Sequence, residues 1–106
     1  MIVHESRSAD FRRPFGAAEV SAEIYLAAIR PGAESMLLRL HGYQEEDRLL
    51  PMVPEGNGRF SVTFAAPETP RVLWYSFLAA GEATCEWQIT VYKSAPVPAW
   101  WKDAVV

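Results

Sequence analysis

Turn signals recur at short intervals along this chain. Pro31-Gly32, His41-Gly42, Glu55-Gly56-Asn57-Gly58, Pro67 to Pro70 and Gly81 punctuate it, with short apolar segments between them. Glycine reaches positive φ without strain and proline fixes φ, so such clusters end elements rather than continue them. Short segments spaced about 8–12 residues apart are the mark of an all-β sandwich or barrel.

The segments alternate as strands should. Phe60, Val62 and Phe64 face one way and Ser61 and Thr63 the other. Met36, Leu38 and Leu40 alternate with Leu37 and Arg39. Leu73, Tyr75, Phe77 and Ala79 share one face of the next strand, and Trp87, Ile89 and Val91 one face of the last. Arg48 to Pro54 holds both Pro51 and Pro54, which lack a ladder donor, so it reads as an edge strand or a loose connection. Ala17 to Ile29 is rich in helix formers, yet Val20, Ala22, Ile24, Leu26 and Ala28 alternate with Ser21, Glu23 and Tyr25. A lone helix among strands needs its own surface to pack on, so a strand is expected. Gly56-Asn57-Gly58 reads as a hairpin turn.

The chain has 106 residues, enough for one domain with one core. A net charge of −3 without a basic block argues against a nucleic-acid partner. No apolar run approaches the roughly 20 residues that span a membrane. The opening Met-Ile-Val-His-Glu-Ser lacks the basic and apolar regions of a signal peptide. The single Cys85 can form no internal disulfide and reads as a small residue in or beside a strand, so a cytoplasmic protein is expected.

The C-terminal stretch carries a family likeness. Trp87-Gln88-Ile89-Thr90-Val91-Tyr92 leads through Pro96 and Pro98 into Ala99-Trp100-Trp101-Lys102-Asp103-Ala104-Val105-Val106. This resembles the approach to the catalytic barrel in α-amylase-family glycoside hydrolases of the neopullulanase, cyclomaltodextrinase and maltogenic amylase branch. His4-Glu5-Ser6-Arg7 with Phe11-Arg12-Arg13-Pro14-Phe15-Gly16-Ala17 is similar to the opening of their N-terminal domain. Glu45 to Met52, Gly58-Arg59-Phe60 and Leu73 to Phe77 also fit. Glu5 stands where an Asp is usual, and Ala9-Asp10 replaces a common Asp-Pro.

The resemblance implies an immunoglobulin-like antiparallel β-sandwich over residues 1–93. Residues 94–106 would then be a proline linker and the start of a truncated barrel, making the chain a piece of a longer enzyme. It implies a noncatalytic role in domain packing, dimerisation or cleft shape. The expected partners are the protein's own catalytic barrel, a second copy, and an α-glucan or maltooligosaccharide. The parent would cleave α-1,4 or α-1,6 linkages with retention, through carboxylates of that barrel. Two other readings stay open: an independent maltooligosaccharide-binding module, and a stand-alone immunoglobulin-like interaction domain in which residues 94–106 form a true terminal strand or tail.

Few side chains here carry chemistry of their own. Glycosidic hydrolysis needs two carboxylates about 5–9.5 Å apart on a rigid frame. Glu45-Glu46-Asp47 is a charge run in a loop and reads as a solvated turn, so no catalytic residue and no hydrolase activity is expected of this stretch. His4 and His41 have no partner at ligand spacing, so no metal or other cofactor is expected, and both read as surface or loop histidines. Ser6 and Ser8 near His4 lack an orienting acid. Sugar rings stack on flat aromatic side chains. Trp74 alternates away from Tyr75 and Phe77, and Tyr43 sits in a turn, so these two are the candidate carbohydrate contacts. The same outward aromatics suit interdomain packing. Trp100 and Trp101, with Phe11 and Phe15, are the candidate interdomain contacts.

Overall fold

In the computed structural model, which describes residues 1–95, ten strands form two facing sheets. The four-stranded sheet contains β1 (Arg12–Arg13), β3 (Glu23–Ile29), β7 (Arg59–Ala65) and β6 (Val53–Gly56), in the order β1-β3-β7-β6. The larger sheet contains β2 (Ala18–Glu19), β10 (Trp87–Tyr92), β8 (Arg71–Ala79), β4 (Leu37–Gly42) and β5 (Arg48–Pro51), in the order β2-β10-β8-β4-β5. The short β9 (Glu82–Ala83) pairs with the end of β8. The two sheets make an all-β sandwich, with β1 and β2 succeeding each other along one edge, β1 in the smaller sheet and β2 in the larger.

Every named strand pair is antiparallel except β2 with β10, which is parallel. The expected antiparallel sandwich is amended at that edge. The chain leaves the smaller sheet after β1 and joins the larger one at β2, where its neighbour runs in the same direction.

Alternation sorts the core as the sequence suggests. Ile24, Leu26, Ala28 and Phe60 are buried from the smaller sheet, and Leu38, Leu40, Leu73, Tyr75, Phe77, Ile89 and Val91 from the larger. The segment from Ala17 to Ile29 is not the single strand expected: a turn at Val20 and Ser21, with Ser21 at φ 61°, separates β2 from β3, and only Glu23–Ile29 pairs with β7. Tertiary pairing overrides helix propensity there. Ser61 faces outward, opposite Ala27, yet it is buried, and its hydroxyl is satisfied by donating to the Glu55 carboxylate at 3.0 Å.

The two-proline segment is an edge in both sheets. β5 borders the larger sheet and β6 the smaller, and the buried Met52 lies at the crossing, its N–H donating to the Met36 carbonyl at 3.0 Å. The β6–β7 turn is the expected hairpin, with Asn57 and Gly58 at φ 55° and 78°. His4 corrects the expectation of a surface or loop residue. It is buried between the sheets, 4.8 Å from the Phe77 ring and 4.7 Å from that of Trp87. Among the described residues no helix is long and apolar enough to cross a membrane.

Candidate functional site

The outer face of the larger sheet gathers the side chains with chemistry to offer. Strand register places Gln88 of β10, Trp74 of β8 and His41 of β4 in one row across it. Trp74 is half-buried and stacks on the His41 ring, with centroids 5.5 Å apart and planes 16° from parallel. The next row sets Arg39 beside Ser76, and the Arg39 Nε donates to Ser76 Oγ at 3.0 Å. Leu37, Leu49, Val72, Leu78 and Tyr92 occupy outward positions around these rows. Leu49 and Tyr92 are largely exposed.

Both ring nitrogens of His41 face acceptors. Nε2 lies 2.5 Å from a Glu86 carboxylate oxygen, and Nδ1 lies 3.1 Å from the Gly42 carbonyl. Two acceptors favour the doubly protonated ring. The Glu86 hydrogen bond, reinforced by the Gly42 carbonyl, raises the His41 pKa above its ordinary value. The resulting imidazolium lies against the indole of Trp74, an arrangement favoured by the ring quadrupole.

The turn after β4 adjoins this face. Gly42 lacks a Cβ, and the Glu45 carboxylate occupies that space while pairing with Arg71. Tyr43 is exposed in the same turn, and Gln44 takes φ 56°. A small pocket at this end of the sandwich is lined by His41, Glu45, Glu46, Arg48, Phe64 and Arg71, among others. Glu45, Glu46 and Asp47 are exposed, as expected of a solvated turn.

The opposite face of the molecule covers itself. Arg13 lies over the Tyr25 ring at 4.0 Å and Arg59 over the Phe11 ring at 5.0 Å. Arg59 also pairs with Glu55 at 2.9 Å, donates to the Tyr25 hydroxyl at 3.1 Å, and reaches the Asp10 carbonyl. These contacts hold the Arg59 pKa above its ordinary value, the Tyr25 hydroxyl contributing most.

Trp74 and Tyr43 thus lie on the larger sheet and its adjoining turn. Phe11 is half-buried against His4, while Phe15 is exposed on the loop between β1 and β2. Trp100 and Trp101 lie outside the described residues. Sequence reasoning missed Arg39, His41, Glu86 and Gln88 as companions of Trp74. Parity alone sets Arg39 and His41 on the face of Leu37, and Gln88 opposite Ile89. Glu86 precedes its strand, where no period applies. Cys85, beside it, is exposed and free. Among the described residues no group of three His, Cys, Asp or Glu is arranged to hold a metal ion. The chain matches no model of a known protein family and no curated protein.

Proposed function

We propose that this sandwich is the noncatalytic N-terminal domain of an α-glucan-hydrolysing glycosidase. Its outer β2-β10-β8-β4-β5 face serves as the contact surface for that enzyme's catalytic barrel or for a second copy that walls the substrate cleft. The reading rests on the family likeness of both ends and the middle of the chain. One structural observation carries the choice of face. On the smaller sheet's exterior Arg13 and Arg59 cover Tyr25 and Phe11, and of its strand residues only Val53 is a large exposed apolar side chain. On the larger sheet, among the described residues, Leu37, Leu49, Val72 and Leu78 have no cation–π or ion-pair cover and Trp74 has His41 alone. Apolar side chains rimmed by polar ones are typical of contact surfaces. The acidic residues with partners serve structure: Glu45 pairs with Arg71, Glu55 with Arg59, Glu82 with Arg30 and Glu86 with His41. The direct test is to read the encoding gene past Val106. A barrel-like alternation of strands and helices is expected, and a stop codon there overturns the proposal.

A second reading is favoured by the company Trp74 keeps. Arg39, His41, Glu86 and Gln88 are planar polar groups, suited to paired hydroxyls, around a ring suited to a sugar face. On this reading the domain binds maltooligosaccharides by itself. Calorimetric titration with millimolar maltooligosaccharide should then give heat that Trp74→Ala abolishes. No heat from the unaltered chain removes this reading.

A further inference from the structure

Residues Met1 to His4 form a strap that lies across the edge between the two sheets. Val3 exchanges two backbone hydrogen bonds with Ile29 of β3, at 2.8 and 2.9 Å. Ile2 is buried, and its N–H donates to Glu82 of β9 at 3.1 Å. The same carboxylate accepts from Arg30 at 2.6 Å and from the Met1 amine at 3.1 Å. His4 then enters the core and touches both sheets. Its Nδ1 lies 2.7 Å from the Ala27 carbonyl on β3, and its Nε2 lies 2.8 Å from the Tyr75 hydroxyl on β8. The carbonyl can only accept, so Nδ1 carries the proton. That leaves Nε2 of the neutral ring to accept from the Tyr75 O–H. The Arg12 guanidinium of β1 reaches the same hydroxyl oxygen at 3.4 Å.

We propose that His4 is an acid-sensitive latch, whose protonation releases the Met1–His4 strap while the remaining strands stay paired. A second ring proton would sit at Nε2, where the Tyr75 hydroxyl already points its own proton. That hydroxyl would have to turn round and accept from two cations, His4 and Arg12, with its own hydrogen left without the nitrogen it served. The groups acting on His4 come from every side. Arg12 opposes a positive charge from β1, and Glu5, next in the strap, favours it. β3 supplies the Ala27 carbonyl, β8 the Tyr75 phenol and the Phe77 ring, and β10 the Trp87 indole. Burial dominates and, with Arg12, holds the His4 pKa below its ordinary value against the pull of the carbonyl and Glu5. The Met1 amine, with Arg30 and the Ile2 N–H, holds the Glu82 carboxyl below its usual range, so Glu82 stays ionised between about pH 6.5 and 5.5.

The sign follows from proton binding. With the strap closed His4 is neutral, and with it released the ring returns to an ordinary pKa of about 6.5. Below that pH the released form binds one more proton. The ratio of released to closed strap therefore rises by up to about tenfold per pH unit, until the closed-state pKa is passed. The body survives because β3 remains paired with β7 along seven residues and with β1.

Amide hydrogen exchange by NMR on the whole chain tests this. Corrected for intrinsic rates, Val3 and Ile29 should lose up to about fivefold in protection between pH 6.5 and 5.5. Val62 and Leu40, in the interior ladders, should hold theirs, and His4→Gln should remove the pH dependence at Val3 and Ile29. Constant protection at Val3 and Ile29 down to pH 5 overturns the latch. So does an equal acid loss in His4→Gln, or a loss shared by all four amides. Should His4→Gln fail to fold, the imidazole nitrogen shifts of the unaltered chain decide. A neutral Nδ1–H tautomer at pH 7 with a midpoint below 6.5 is expected, and a midpoint at or above 6.5 overturns the proposal.

Discussion

Gly58 shows how little room one position can leave. It closes the β6–β7 hairpin at φ 78°, and a Cβ there would meet the Pro31 Cα at 2.8 Å and the Arg30 carbonyl oxygen at 2.9 Å. Both obstacles are backbone and neither can swing aside. Gly58→Ala should therefore cost about 2–3 kcal/mol, read from urea denaturation, because left-handed strain adds to the clash. Ala80 is the converse case. It takes φ 50° in the β8–β9 turn, is exposed, and precedes Gly81 at φ 77°. Asparagine tolerates that region better than alanine does. Ala80→Asn should stabilise by about 0.5–1 kcal/mol in the same assay. A loss of stability would show that the turn does not strain its alanine.

Among the elements, the crossing from β5 to β6 concentrates the most consequence in one side chain. Met52 is buried between two edge strands that belong to different sheets. Met52→Ala should cost about 2–3 kcal/mol by thermal or urea unfolding, since the two edges cannot collapse together to fill the space. This segment also shows what the residues reveal in advance. Pro51 and Pro54 exclude a central strand, so its edge position was legible, as were β7 and β10 through alternation and β4 and β8 through apolar runs between turn signals. β1 and β2 span two residues each, too short for any period to register, and the parallel pairing of β2 followed from neither pattern nor turn. His4 was illegible for another reason. Of the aromatic residues around it only Phe11 is near in the chain; Tyr75, Phe77 and Trp87 lie more than 70 positions away, and nothing beside it announces them. Trp74 was placed outward by parity, whereas Glu86, the partner of His41, lies before its strand, where parity gives no guidance.

For the molecule as a whole, the two histidines set opposite limits on stability. His4, with its pKa lowered by burial, favours folding above about pH 6.5 and loses that contribution as pH falls toward its folded value. His41, with its pKa raised chiefly by Glu86, contributes fully below about pH 6.5 and loses that contribution as pH rises through its folded value. Melting temperature against pH should therefore peak near neutrality. His41→Gln should flatten the alkaline limb and His4→Gln the acid one, and an unchanged alkaline limb in His41→Gln would dissociate Glu86 from it. The faces differ too, one carrying Arg13 over Tyr25 and Arg59 over Phe11, the other carrying His41 over Trp74. The parallel contact between β2 and β10 bears on something different, the response to traction. Val91 lies beside Ala18 and Tyr92 beside Glu19, with the Val20 N–H donating to the Tyr92 carbonyl at 2.8 Å. Tugging the chain from its two ends draws these neighbours lengthwise past each other. Their bonds are then loaded together rather than unzipped singly, so this small seam yields as a unit once the stretch before β2 has been stripped away.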